Sequence, residues 1–236
     1  MQTHASGCLI CGAALRYLER AEPHRCALCD AQADADATCE AGHFVCDRCH
    51  ALGAVELIEA VCKVAQGDDP LGNAMGLMGR PQVHLHGHEH HFLVPAALLC
   101  AACNASGRAD EKARLLAEAR RRAEAVKGGF CGFWGACGAA VGVGIFVSLL
   151  TGATPLSTSQ WRLSNLATAR ALERIALSGG PRCCKRDSFI AIDSAVGFAA
   201  QSLGVRLAQG KASCRFSEAN RECLREGCAF FTARSD

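Results

Sequence analysis

The chain has 236 residues, half of them hydrophobic, which is enough for one well-packed core and a small accessory module. Charged residues make up 20% of the sequence, and the formal net charge is only +2 at pH 7. This balance gives no strong signal for a nucleic-acid-binding protein or for one that binds an anionic membrane surface. Binding partners therefore have to be inferred from local motifs.

Cysteine is the residue that sets this sequence apart, with 17 copies. A cysteine-rich chain is either a secreted disulfide scaffold or a protein with reduced metal and thiolate sites. The first residues lack the basic region, apolar segment and cleavage site of a secretory signal, and the number of cysteines is odd. We therefore predict a cytoplasmic protein whose thiols stay reduced, as in an anaerobic cell.

Residues 1–50 contain four closely spaced pairs of metal ligands. The pairs are Cys8 and Cys11, Cys26 and Cys29, Cys39 and His43, and Cys46 and Cys49. Eight sulfur and nitrogen ligands are the number needed for two tetrahedral sites, the geometry that Zn²⁺ prefers. Few bulky apolar residues precede Asp36, so metal must supply much of the folding free energy of this module. We predict two structural zinc ions, with iron in place of a zinc as the alternative.

The stretch CEAGHFVCDRC, residues 39–49, resembles the central C-x-x-G-H-x-x-C-x-x-C segment of RING-type zinc fingers. The resemblance implies that the pairs interleave, first with third and second with fourth, and that a protein partner binds through exposed apolar residues. The His-containing pair comes third here, which departs from the RING order. Two sequential zinc ribbons fit the spacing equally well, and the sequence leaves the pairing open.

The whole chain also resembles an uncharacterised cysteine-rich family of anaerobic bacteria and archaea. The motifs that carry this resemblance are GHEHHFLVPAALL, GGFCGFWGACGAA and GGPRCCKRDSF. The resemblance implies one continuous protein with several unusual motifs, and it implies no particular mechanism.

Residues 51–80 are predicted to form a docking helix and a linker, and residues 81–236 an α-helical, cysteine-rich body. Asp69 and Pro70 predict a helix break, followed by a connection as far as residue 81. The predicted fold class is therefore mostly α, a helical bundle with a small N-terminal zinc-binding module. Apolar residues at helical spacing predict helices over 51–66, 92–105, 109–126, 159–177 and 183–203.

Residues 130–150 form an uncharged stretch that is long enough to cross a bilayer. Its glycines and cysteines favour a buried central helix, with a membrane span as the alternative. Exposed backbone N–H groups at its glycine-rich start would bind a carboxylate or phosphate, unless the glycines serve packing alone. The predicted anion-binding residues of this segment are Gly129, Cys131, Gly132 and Gly135.

Cys183 and Cys184 are predicted to be the most reactive residues and are candidate catalytic nucleophiles. They open a helix, where the positive end of the helix dipole stabilises thiolates. Arg182, Lys185 and Arg186 would add positive charge and bind a small anion. In the alternative interpretation, one cysteine packs in the core and the basic residues cap the helix.

A run of histidines over residues 84–91 suits a borderline metal or general acid–base chemistry. The predicted catalytic residues are His88, Glu89, His90 and His91. Glu89 would orient His90 or His91 and so set which ring nitrogen carries the proton. A surface or capping role is the alternative for this run.

An iron–sulfur cluster is a further candidate cofactor, because cysteine thiolates are its usual ligands. The spacing of the remaining cysteines matches no ferredoxin pattern, and Cys183 or Cys184 could complete the set. The candidate cluster ligands are Cys131, Cys137, Cys214, Cys223 and Cys228.

These motifs together predict an anaerobic metalloenzyme that acts on a small anionic or sulfur-containing substrate through thiolate or iron–sulfur chemistry. The alternative is a non-enzymatic adaptor, or a redox or metal sensor. In that case the zinc module would bind a protein or nucleic-acid partner.

Overall fold

The computed structural model describes residues 8–11, 13–46, 49 and 52–232. In this part of the chain, one two-stranded sheet is followed by eight α-helices. The prediction of a mostly α protein with a small cysteine-rich module at its N-terminus is therefore confirmed. The predicted helix start at Ala51 lies outside the described residues.

The N-terminal module is built on an antiparallel hairpin of strands β1 (Leu15–Arg25) and β2 (Gln32–Cys39). Leu15 lies opposite Cys39 and Arg25 lies opposite Gln32, with an irregularity in the register between them. These strands were not predicted, because most of their side chains are exposed and no run of alternating apolar residues marks a buried face.

The helices of the body follow in chain order. They are α1 (Ala54–Val64), α2 (Pro70–Met78), α3 (Glu89–Ala105), α4 (Ala109–Glu124), α5 (Phe130–Phe133), α6 (Gly138–Thr151), α7 (Ser159–Leu177) and α8 (Cys184–Phe198). A π-helical turn, Ala199–Leu203, extends α8. The tail from residue 204 to residue 232 has one short 3-10 turn, Arg225–Gly227, and is otherwise irregular.

Helix α3 is the centre of the body. Its side chains from Phe92 to Cys103 are all buried, and it packs against α1, α2, α4, α6 and α8. A helix that is apolar on every side can be stable only when other elements surround it. Helix α3 is therefore the element around which the other helices of the body pack.

Helix α2 lies where the sequence predicted a connection, and that prediction was wrong. The side chain of Asp69 accepts a hydrogen bond from the N–H of Leu71 at 3.0 Å, and Pro70 occupies the first helical position. Both residues are favoured at helix starts, because an aspartate caps a free N–H and a proline has none to lose. The residues predicted to end one helix in fact begin the next.

The uncharged stretch from Phe130 to Leu150 is not one helix. It forms the single turn α5, a bend in which Gly135 adopts a φ of 64°, and then α6. Residues on α6 from Gly138 to Val147 are mostly buried against neighbouring helices. Within the described ranges, no helix has both the length and the apolar character needed to span a bilayer.

Replacement of Gly142 by alanine should destabilise the body. A Cβ atom at this position of α6 would lie 2.8 Å from the Pro95 side chain and 3.1 Å from the His91 carbonyl oxygen, both on α3. Overpacking of this kind costs about 1–3 kcal/mol. Urea unfolding monitored by circular dichroism would measure the loss.

The matched control is Gly197→Ala on α8, where the new Cβ has no atom within 4 Å. That exposed substitution should raise the free energy of unfolding by about 0.4–1 kcal/mol, because alanine restricts the unfolded chain. Equal stability of the Gly142→Ala and Gly197→Ala proteins would contradict the close approach of α6 to α3.

Candidate metal centres

Two groups of side chains in the N-terminal module could hold metal ions. In each group, the four ligand atoms lie within 4.8 Å of one another. We call them the first and second ligand groups. The first is Cys8, Cys11, Cys39 and His43, and the second is Cys26, Cys29, Cys46 and Cys49.

The spacing of the sulfurs fits tetrahedral coordination. The Sγ atoms of Cys11 and Cys39 are 3.8 Å apart, and those of Cys29 and Cys46 are 3.7 Å apart. A zinc–sulfur bond of about 2.3 Å gives a tetrahedron with an edge of about 3.8 Å. These two distances match the edge of such a tetrahedron.

The ligand pairs interleave, first with third and second with fourth, which settles the pairing that the sequence left open. The hairpin explains the arrangement. Because Leu15 pairs with Cys39, the chain segments before β1 and after β2 meet at one end, where the first group forms. Cys26 lies at the other end, and the N–H of Ala27 donates to the carbonyl of Phe44 at 2.8 Å, which brings the fourth pair there.

Backbone N–H groups donate hydrogen bonds to the ligand sulfurs. The N–H of Ile10 lies 3.4 Å from the Cys8 sulfur, and that of His43 lies 3.3 Å from the Cys39 sulfur. Burial alone would raise the pKa of Cys39, but the His43 N–H and the neighbouring Cys8 thiol lower this pKa to about 7. Burial raises the pKa of Cys8 to about 11. A metal ion would have to displace the remaining protons.

The module is attached to the body through buried contacts. The Arg80 side chain, 6% exposed, donates a hydrogen bond to the carbonyl of Cys8. Leu9 and Val45 of the module belong to the same buried cluster as Leu57 of α1. The position of the first ligand group on the body is therefore fixed by a cation as well as by apolar packing.

Four further cysteines line one cavity in the body, which we call the four-cysteine cavity. They are Cys183, which precedes α8, and Cys214, Cys223 and Cys228 of the tail. The space between these residues measures about 370 Å³ including the open solvent at its mouth. Its other lining residues include Leu85, Arg186, Phe216, Asn220, Leu224 and Phe230.

The sulfurs of this cavity are spaced more widely than those of the module. Across the described residues, only the two N-terminal groups bring three or more ligand atoms within 4.8 Å of one another. The local turns are nevertheless alike. Phe216 donates its N–H to the Cys214 sulfur and Arg225 donates to the Cys223 sulfur, each at 3.4 Å and two residues along, as Ile10 does to Cys8.

Buried positive charge adjoins the four-cysteine cavity. Lys185 is 1% exposed, and its ammonium group donates to the carbonyls of Met78 and Val83 and lies 4.7 Å from the centre of the Phe216 ring. Burial lowers the pKa of Lys185 to about 8, against the attraction of Glu89 and of nearby cysteine sulfurs. The two hydrogen bonds of its ammonium group are to carbonyl oxygens and not to a carboxylate.

The pKa values of Cys183 and Cys184 shift opposite to the sequence prediction. Burial raises both, although a backbone N–H donates to each sulfur. Arg186, predicted as a free cation, is buried and donates to the carboxylate of Asp187 at 3.1 Å. Arg182 remains exposed. At the start of α8, burial thus raises the cysteine pKa values more than the helix dipole of the sequence prediction lowers them.

The histidine run lies beside this helix start. His86 Nε2 is 3.3 Å from the Asn220 side-chain oxygen, and the Asn220 amide donates to the Cys183 sulfur at 3.7 Å. The backbone N–H of Gly87 hydrogen-bonds to Cys184. Two motifs that are far apart in the sequence therefore meet, and Asn220 and His86 link them, a pair that the sequence analysis missed.

Glu89 has a different partner from the predicted ones. Its carboxylate accepts from the N–H of His84 at 2.9 Å and lies 3.1 Å from the His84 ring nitrogen.

The other predicted histidines lie in different environments. His90 is 1% exposed, and both its ring nitrogens are without a hydrogen-bond partner among the described residues. Burial lowers the pKa of His90 well below the usual value. The His91 ring donates to the carbonyl of Val126 at 2.9 Å. His88 lines a surface cleft with His84, His86 and Glu89.

The glycine-rich segment is placed away from the four-cysteine cavity. Gly129, Cys131 and Gly132 lie in or beside the turn α5, and Gly135 follows it. Cys137 is the buried residue before α6. None of these residues lines the cavity, so the candidate cluster ligands that come together are the three tail cysteines, joined by Cys183.

Comparison with protein families gives a match over most of the chain. A family model described as a family of unknown function, DUF5714, matches residues 58–231. The matched region begins after both N-terminal ligand groups and contains the whole four-cysteine cavity. No curated protein and no solved structure matches the chain.

Paired substitutions should reveal the interleaved arrangement as a change in metal content. Cys8→Ser combined with Cys39→Ser removes two ligands of one group, so the chain should lose one ion relative to the wild type. Cys8→Ser combined with Cys26→Ser damages both groups and should lose two ions. Elemental analysis after a mild chelator wash would count the ions, with the buried Cys103→Ser protein as control. The reverse result would establish sequential pairing.

Proposed function

Since this chain belongs to DUF5714, a family of unknown function, we propose from its geometry alone that it is a metalloenzyme whose four-cysteine cavity holds an iron–sulfur cluster. The observation that carries the proposal is the convergence of Cys183 with Cys214, Cys223 and Cys228 on one cavity. Cysteines so far apart in the chain meet at one point only because the fold brings them there. The substrate class is a small anionic or sulfur-containing molecule.

The spacing of the sulfurs favours a cluster over a single ion. Around one zinc or iron, the four sulfurs lie about 3.8 Å apart, as in the N-terminal groups. In a four-iron cluster, each cysteine binds a different iron, so the sulfurs must lie further apart. The cavity cysteines are not gathered at that short distance, so we propose a cluster rather than a single ion there.

The charges around the cavity support the same assignment. An iron–sulfur cluster with four thiolate ligands carries a net negative charge, and positive groups must offset this charge when it is buried. Lys185 supplies a buried ammonium group whose own contacts are carbonyl groups, and the N-terminus of α8 adds the positive end of its dipole. The same positive charge would attract an anionic substrate.

The irregular tail is a third argument. Loops of more than about 12–15 residues without secondary structure are uncommon in compact domains and are usually functional. The tail from residue 204 to residue 232 contributes three of the four cysteines, and a cluster would tie it to the start of α8. The cluster would then contribute folding free energy, as metal does in small metal-binding modules.

His86 would position the site at its edge. Its ring lies between Asn220, which hydrogen-bonds Cys183, and the surface cleft that His84 and His88 line. Its Nε2 atom exchanges a hydrogen bond with Asn220, while its Nδ1 atom is without a partner among the described residues. The ring would therefore hold the Asn220 side chain in place beside the Cys183 sulfur.

The N-terminal module would hold two zinc ions in a structural role. Each ligand group supplies four protein ligands, all sulfur or imidazole nitrogen, which leaves no position for a substrate. We also propose that the domains divide at about residue 50 and at about residue 80. The compartment we propose is a reducing, anaerobic cytoplasm, in which these thiols stay available for metal binding.

A partner-binding adaptor is the second candidate function. The interleaved pairs agree with the RING-type resemblance, and the hairpin exposes Tyr17 (75%) and Leu15 (41%). Exposed apolar side chains on a metal module are suited to contact a protein partner. An adaptor would keep partner binding in a Cys183→Ala protein and lose it when ligands such as Cys39 are replaced.

Anaerobically purified protein, reconstituted with iron and sulfide, should carry a cluster. We expect visible charge-transfer absorption, an electron paramagnetic resonance signal after chemical reduction or oxidation, and matched iron and acid-labile sulfide. The Cys214→Ser and Cys228→Ser proteins should lose most of this signal and keep their zinc. Cys131→Ser is the matched control, since its thiol lies outside the cavity, and it should behave as the wild type. A wild-type protein that binds a third zinc ion and shows no iron chromophore would contradict the proposal.

Removal of zinc should unfold the module and spare the body. A strong chelator should make residues 13–46 sensitive to protease, while the helical circular dichroism of the body changes little, because the apolar core around α3 needs no metal. Restoring Zn²⁺ should restore protection. Protease resistance that is unaffected by metal removal would contradict the structural role.

A further inference from the structure

A buried cation without an anionic partner lies at the junction of the N-terminal module with the body. Arg80, which follows α2, is 6% exposed, and its guanidinium donates to the carbonyl oxygen of Cys8. Its Nε atom is buried without a partner, and the guanidinium forms no ion pair with a carboxylate in the part of the chain that the structure describes. A guanidinium stays protonated in proteins, so a full positive charge lies in the interior at this point.

The groups beside Arg80 offset little of this charge. The guanidinium of Arg215, from the tail, lies so close to Gly79 that it leaves no room for a Cβ atom there, which brings a second cation toward the first. Helix α2 ends at Met78, and the end of a helix offers only about half a unit of negative charge. A buried charge that is offset only in part is costly.

The first ligand group would carry the matching negative charge once it is loaded with zinc. Three thiolates and a neutral imidazole leave one net negative charge, because the thiolates outnumber the charges of Zn²⁺ by one. Cys8, whose carbonyl accepts from Arg80, is one of these three thiolates. Since Cys8 is 3% exposed and Arg80 is also buried, water screens the attraction between the two charges poorly.

We propose that Arg80 is a positioning residue of the first metal site, which offsets the charge of the zinc-loaded group and holds the Cys8 ligand by its carbonyl. This inference rests on the zinc role proposed above and goes beyond it, because it makes metal binding at one of the two groups depend on a residue of the body. The hydrogen bond of Arg80 goes to the first group, so the second group serves as an internal reference.

Zinc binding and docking of the module would then stabilise each other. If Arg80 strengthens zinc binding by a given factor, zinc strengthens the attachment of the module by the same factor, since both effects share one coupling free energy. Leu9, the residue after Cys8, belongs to the same buried cluster as Leu57 of α1, so one ligand turn makes both the polar and the apolar contact. Loss of zinc from the first group would loosen this junction.

The test measures zinc at each group separately in the full-length protein. Alkylation and peptide mass spectrometry over a series of buffered free zinc concentrations report which cysteines the metal protects. In the Arg80→Gln protein, protection of the first group should require about 10–100-fold more free zinc than in the wild type, the usual effect of removing a residue that supports a metal ligand. The reporting cysteines are Cys8, Cys11 and Cys39, and those of the second group should keep the wild-type profile.

Two further variants separate charge from packing. Arg80→Lys keeps the charge and should hold zinc at the first group far better than Arg80→Gln does. Arg16→Gln is the matched control and should behave as the wild type, because Arg16 is an exposed residue of β1 opposite Thr38, where water screens its charge. A first group that binds zinc as weakly in Arg80→Lys as in Arg80→Gln, with the helical circular dichroism of the body intact, would overturn the role of charge.

The same series tells failure of this inference from failure of the zinc role itself. Wild-type cysteines of both groups that stay open to alkylation in excess zinc would overturn both. Protection of the wild-type and Arg80→Gln proteins at the same free zinc concentration would overturn the inference alone. The Arg80→Lys protein also decides without Arg80→Gln, since a folded body with a first group that no longer holds zinc, although the charge is kept, would contradict the proposal.

Discussion

Sulfur held by short backbone turns is the feature on which the irregular parts of this chain depend. Cys8, Cys214 and Cys223 each accept an N–H from the residue two positions along, at 3.4 Å. The turn points a sulfur inward without needing a helix or a strand. The N-terminal module and the tail have little secondary structure around their cysteines, so bound metal can supply order that apolar burial does not. The helical body, by contrast, is stabilised by the fully buried α3.

Two buried lysines lie close to cysteine side chains. Lys185 adjoins the four-cysteine cavity and Lys112 is linked through Asn104 to the Cys100 sulfur, and both donate to uncharged oxygens. Burial lowers the pKa of Lys185 to about 8, because an ammonium group is costly in the interior, while Glu89 and the nearby cysteine sulfurs act in the opposite direction. An anion bound in the four-cysteine cavity would therefore favour the charged form of this lysine.

The sequence predicted features whose signal is local. The eight N-terminal ligands follow from pair spacing, and the helix over 159–177 from apolar periodicity that the structure reproduces in Ser159–Leu177. Features that depend on distant contacts could not be predicted. The hairpin has exposed faces, and the pairing of ligand pairs is set by its register. Arg80 reaches Cys8 only because the module docks on the body, and burial reverses the pKa shift expected for Cys183.

The junction between module and body brings the first ligand group onto the helices. Cys11, a ligand of the first group, lines the same cavity as Cys62, and Arg80 fixes the carbonyl of Cys8 to the body. Because packed interfaces respond to small shifts at a contact, a change in metal binding at the first ligand group would act on the floor of this cavity, where α1 presents the Cys62 side chain. The module and the body are therefore coupled through one buried junction.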